Sequence, residues 1–223
     1  PVFFDSGDAG LPEITSDITI TGGQTIRRIG APDFRFFVVL NTGSLTLEDI
    51  TLRDGRVVGS CQGFSGGDYS GCGGAIVVNN GNLILNDVTL LDNQAIENVT
   101  TDFPRGGAIA QFGGALTITD SNFTGNSAEF GGAISIQLGT HNITDTTFNS
   151  NTALTSGGGI FQNFNGTLNV FGSTFTGNQV TNATTIFNGG RAIDNAGSNS
   201  QLSVVNSAFT GNSARNGGAI NNF

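Results

Sequence analysis

The chain has 223 residues, enough for one large domain or two small ones. Glycine supplies 35 of them, about twice the ordinary share, while charged residues make up only 11%. All eight basic residues are arginine against seventeen acidic ones, and the net charge of −9 excludes a basic surface for nucleic acid or anionic lipid.

The chain opens on Pro1 with no leader visible, which reads as a processed or excised chain. Residues 1–42 hold period-two pieces, Ile14 to Thr21 and Phe34 to Leu40, and predict an irregular first coil or two. The longest apolar run, Phe36 to Leu40, is far too short to cross a membrane, so no membrane insertion is expected. From Gly43 a motif recurs six times, starting at Gly43, Gly81, Gly114, Gly139, Gly166 and Ser200. Its first copy reads Gly43-Ser-Leu-Thr-Leu-Glu-Asp-Ile-Thr-Leu52. Constant motifs at unequal spacing mean constant strands and variable loops. Within each motif the period is two: Leu45 and Leu47 point one way, Thr46 and Glu48 the other.

Two further signatures follow each copy. Asn comes three residues after the motif's last apolar residue in the five copies from Leu90 on, and Gly-Gly-Ala-Ile follows at 73–76, 106–109, 131–134 and 217–220, with variants at 157–160 and 190–193. Three short strands per turn with tight corners describe a coil of a parallel β-helix, with about seven coils in one domain over 1–223. Stacked coils put equivalent residues in columns. Leu52, Leu90, Phe123, Phe148, Phe175 and Phe209 form an inward apolar stack. Asn93, Asn126, Asn151, Asn178 and Asn212 form an amide ladder at a corner.

Cys61 and Cys72 flank a polar loop and read as a disulfide stapling the surface rather than the core, hence an oxidising, extracellular setting; two free thiols are the alternative. Asp49, Asp87, Asp120 and Asp145 share one repeat position with Gly172 and Asn206. Turn capping explains them best, with a Ca²⁺ column as the rival. His141 replaces a column leucine and reads as a core or rim residue, not a base. Arg191 and Asp194 are expected to form a surface ion pair, with a groove site for an acidic sugar as the rival. The Asn-x-Ser/Thr sites at Asn98, Asn122, Asn142, Asn165 and Asn182 are no more than composition predicts. No catalytic, metal or cofactor set is read from the chain.

Residues 124–134, Thr-Gly-Asn-Ser-Ala-Glu-Phe-Gly-Gly-Ala-Ile, and residues 209–220 resemble the repeats of chlamydial polymorphic outer-membrane proteins. They are equally similar to bacterial surface proteins with right-handed parallel β-helix repeats, and the resemblance covers about 43–223. It implies a right-handed solenoid exported to the cell surface and used in adhesion. The expected function is therefore a non-catalytic, extracellular structural or adhesive β-solenoid. Expected partners are other copies stacked end to end into a filament, and a host surface or polysaccharide. The rival function is a carbohydrate-active enzyme, and three or more acidic groups with an arginine in one groove would mark it.

Overall fold

In the computed structural model, which describes residues 9–61, 69–98, 103–182, 190–214 and 218–222, the chain climbs in coils. The second coil shows the regular pattern as four short strands: Ile76–Asn79, Asn82–Asn86, Thr89–Leu91 and Gln94–Ile96. The third repeats it with Ile109–Phe112, Ala115–Thr119, Asn122–Thr124 and Ser127–Phe130. In the fourth and fifth coils the first two strands fuse into Ile134–Thr144 and Ile160–Phe171, leaving three per coil. Every named strand pairs in parallel with the same strand one coil away, so the ladders form one 17-stranded and one 5-stranded sheet. The first coil is Phe37–Leu40, Ser44–Arg53 and Arg56–Val58; Asp17–Arg27 pairs below it with a register shift at Gly22 and Gly23. The sixth is Ile193–Asn195, Gln201–Val205 and Ala208–Thr210, followed by Ile220–Asn222.

The alternation read from sequence decides which side chains enter the coil. Leu45, Leu83, Leu116 and Leu168 are fully buried, as are Leu47, Leu85 and Ile118. Corners need left-handed backbone, and the sequence supplies residues that tolerate it. Asp49, Asp87, Asp120, Asp145, Gly172 and Asn206 all have φ between 48° and 61°. The Gly-Gly pair sets the coil's narrow waist. Gly106 has φ +66°, and a Cβ on Gly107 would collide with the Gly132 carbonyl and the Ser127 backbone.

Candidate functional site

The predicted inward stack is present. Phe123, Phe148, Phe175 and Phe209 lie face to face, with centroids 4.9, 4.6 and 4.8 Å apart and rings within 10° of parallel. That spacing is set by the roughly 4.8 Å rise between paired strands. The amide ladder is also present. Each Nδ2 donates to the Oδ1 one coil on, at 3.0 Å from Asn93 to Asn126 and 2.9 Å along Asn126, Asn151, Asn178 and Asn212. The same Oδ1 atoms accept from the backbone N–H of the preceding asparagine, and the second amide hydrogen goes to a strand carbonyl, as from Asn151 to Phe123 O at 2.9 Å. An amide buried in this way leaves no polar group unmet.

A second ladder was not recognised in the sequence. Ser121, Thr146, Ser173 and Ser207 follow the left-handed corner residue. Each hydroxyl accepts from the backbone N–H one coil below, as Ser121 Oγ does from Val88 N at 3.1 Å, and donates to the carbonyl two residues back. The signal was the column Ile50, Val88, Ser121, Thr146, Ser173, Ser207, which changes from branched apolar to hydroxyl partway up.

The cysteines form a disulfide, but not where expected. Cys61 and Cys72 are buried and pack with Val38, Val77, Ala110 and Phe112 in a second apolar cluster outside the coil. The outward side chains of the first strand are apolar in these coils, and Cys61, Tyr69 and Cys72 pack over them. Arg35, fully buried, anchors that cover by donating from Nη2 to the carbonyls of Tyr69 and Ser70 at 2.5 and 3.0 Å. Arg35 was missed, although a lone arginine within Phe34-Arg-Phe-Phe37 is a visible anomaly.

Arg191 and Asp194 are not a surface ion pair. Asp194 is 2% exposed and accepts from Ser156 Oγ and, at 2.7 Å, from Asn221 Nδ2. Arg191 donates instead to the Ala214 carbonyl at 3.1 Å. The reason is strand parity: Asp194 takes the outward but covered second position of its strand, paired with Phe161. Burial raises its pKa above the usual carboxylate range, opposed by the two hydrogen bonds. His141 is fully buried at its column position, with Nε2 against the Leu138 carbonyl. Burial holds its pKa below the ordinary value, opposed by that bond. The Asp49, Asp87, Asp120 and Asp145 column forms the corner, with Asp145 leaning over Gly172, where a Cβ would meet its Oδ1.

The length of the connection from the last strand of a coil to the next Gly-Gly varies. Between Ile96 and Gly106 it is long; after Phe130 and after Ser156 the Gly-Gly follows at once; beyond Val180 it is long again. Two tight coils between two long connections leave a groove of about 240 Å³. Ser127, Ala128, Glu129, Thr152 and Leu154 line its floor, with Ile96, Glu97 and Pro104 on one side and Thr181 on the other. The floor is low because the 5-stranded sheet carries Ala95, Ala128 and Ala153 in successive coils. Beside the groove, the Arg105 guanidinium lies 5.2 Å from the Phe130 ring centroid and 5.9 Å from that of Phe161. These phenylalanines, with Phe112, sit outside the coil, unlike those of the inward stack. Glu129 Oε1 accepts from Thr155 Oγ1 at 3.1 Å, whereas Oε2 is shielded from solvent with no partner among the described residues. Burial pushes the Glu129 pKa up and Glu97 adds to the rise, while Thr155 and Arg105 oppose it. Two carboxylates, Glu97 and Glu129, line this groove, Arg105 acts on Glu129, and the described residues hold no group of three or more His, Cys, Asp or Glu able to bind a metal.

Unbroken parallel ladders, internal aromatic and amide columns and an outward groove define a parallel β-helix of the repeat type. A family model, the Chlamydia polymorphic membrane protein (Chlamydia_PMP) repeat, matches residues 120–137 and 145–163. These segments carry Phe123, Asn126 and Gly131-Gly-Ala-Ile134 in one repeat, and Phe148, Asn151 and Gly157-Gly-Gly-Ile160 in the next. The chain is thus similar to these repeats over the coils where both hydrogen-bonded ladders run. No curated protein and no solved structure matches the chain.

Proposed function

We propose that the chain is a non-catalytic β-solenoid displayed at a cell surface or outside the cell, with a structural or adhesive role toward a host surface or polysaccharide. The match to repeats of a polymorphic membrane protein carries this reading. A disulfide in a loop that covers an apolar cluster supports an oxidising compartment. We also propose that copies stack end to end. Leu202, Val204 and Phe209 continue columns that are fully buried one coil below, yet are themselves half-exposed. By the ladder register, Ile18, Ile20 and Ile26 of Asp17–Arg27 hold the equivalent positions at the other end, and Ile18 is 39% exposed. Such a head-to-tail contact extends into a filament unless it closes into a ring. The test uses the full natural protein. Antibody labelling of unpermeabilised cells together with fibres in micrographs supports both parts. Labelling only after permeabilisation sinks the surface role, and a monodisperse monomer by light scattering sinks the stacking.

A further inference from the structure

We propose that the groove over the third and fourth coils receives a lysine side chain presented by a partner protein, its stem lying on Ala128 and Leu154 and its ammonium between Glu97 and Glu129. The proposal rests on the adhesive reading and gives it a contact chemistry.

Size comes first. At about 240 Å³ the groove is smaller than the roughly 300–1,000 Å³ of sites for whole small molecules, but ample for one long side chain. Its floor is apolar, made by Ala95, Ala128 and Leu154, and an alkyl stem lies well on such a floor while its charged end reaches out. Charge decides the occupant. Two carboxylates line the groove, Glu97 close enough to raise the cost of ionising Glu129, and one oxygen of Glu129 lacks a hydrogen-bond partner among the described residues. Neither glutamate forms an ion pair among the described residues. Arg105, which acts on Glu129 through its charge, is held over Phe130 and Phe161 and forms no ion pair with it. An incoming ammonium supplies the missing charge and donors once the Glu129 carboxylate turns to meet it. The net charge of −9 draws basic partners toward the whole molecule. A neutral sugar fits less well, because among the described residues no aromatic ring lines the groove to stack on a pyranose face and no charge is neutralised. The same lack of a flat ring favours lysine over arginine.

The experiment titrates the ¹⁵N-labelled chain with a blocked peptide carrying one central lysine, with its norleucine twin, and with a neutral oligosaccharide. The lysine peptide should give saturable shifts centred on the amides of Ala95, Ala128 and Leu154. Binding should weaken about tenfold in the Glu97→Gln/Glu129→Gln chain, as expected for loss of a charge-assisted contact. It should also weaken as salt is raised. Glutamine keeps the acceptor for Thr155, so the coil persists; Ala128→Leu is the second variant, filling the floor with both charges in place, and should abolish binding. Equal response to the norleucine peptide, indifference to the glutamine variants, or oligosaccharide shifts at these amides without a peptide response would overturn the proposal. Surface adhesion of the whole protein with no peptide response removes the groove proposal alone. A peptide response in a protein that is not surface-exposed removes the adhesive reading alone.

Discussion

The first two coils and the four above them follow one backbone path but hold it with different side chains. Below, the column after the left-handed corner is Ile50 and Val88, the inward stack is Leu52 and Leu90, and the amide ladder has one rung, Asn93, whose Oδ1 accepts from the Gly55 N–H. Above, the same columns are Ser121 to Ser207, Phe123 to Phe209 and Asn126 to Asn212. The outer cover differs too: a disulfide loop and Arg35 below, the Phe130–Phe161–Arg105 group above. Apart from the Asn93 rung, the lower coils are held by apolar burial, which is non-directional and tolerates a change of shape. The upper coils add hydrogen bonds in which every rung satisfies its neighbour, so loss of one rung leaves at least two buried groups short of a partner. Apart from His141, which stands alone in a leucine column, the inward polar residues of the ladders lie where a column continues them.

Several substitutions test the contrast. Phe148→Ala opens a hole between two stacked rings and should cost about 3–5 kcal/mol; Leu90→Ala, in the lower part of the same column, should cost about 2–5 kcal/mol. Equal melting temperatures for wild type and Phe148→Ala would show that the stack does not hold the coils. Asn151→Ala should cost roughly 2–4 kcal/mol, because the Asn126 amide, the Phe123 carbonyl and the Asn178 Oδ1 all lose a partner. Asn212→Ala, at the half-exposed upper rung, should cost about 1 kcal/mol. Denaturant midpoints that do not separate the two asparagines would refute the rung-by-rung account.

Removing the disulfide with Cys61→Ser and Cys72→Ser reopens a loop with a sequence separation of 11, worth at most roughly 3 kcal/mol. The effect should stay local. Hydrogen exchange should quicken around Val38, Val77 and Ala110 and remain slow at Phe148; faster exchange throughout would place the loop in the main fold. Acid should act through His141. Its folded pKa lies below the unfolded value, so the unfolded chain binds the proton first. The contribution of neutral His141 is complete above the unfolded pKa of about 6.5 and is lost as pH falls through the folded value. His141→Leu, which restores the column residue, should flatten that part of the stability profile; an unchanged profile assigns the acid response elsewhere. The corner column is weaker than the interior amide ladder. Thr146→Val removes one rung and should cost about 1–2 kcal/mol, whereas Val88→Thr, below the ladder, should lie within about 1 kcal/mol of wild type.

The solenoid, its inward Leu and Phe columns and its amide ladder were all legible in the sequence. Each is a local pattern multiplied by stacking: period-two alternation fixes the face, and a constant offset from Phe123 to Asn126, or from Phe148 to Asn151, fixes the corner. The Asp column was legible as a turn for the same reason, since Gly172 and Asn206 share its left-handed backbone. Which outward residues are covered was not legible. Val77, Ser135, Phe161 and Asp194 occupy one outward position, and each is buried. Alternation tells the direction a side chain takes but not what a connection of variable length lays over it. That is why Asp194 belongs with Ser156 and Asn221 rather than with Arg191, and why the cysteines close a second core. The groove has the same origin. Glu97 and Glu129 lie 32 positions apart in the sequence and meet because the chain between them completes one coil and returns to the same face. Strand pattern, set by backbone sterics and apolar burial, is written locally; the outer surface is decided only when coils of unequal loop length are stacked.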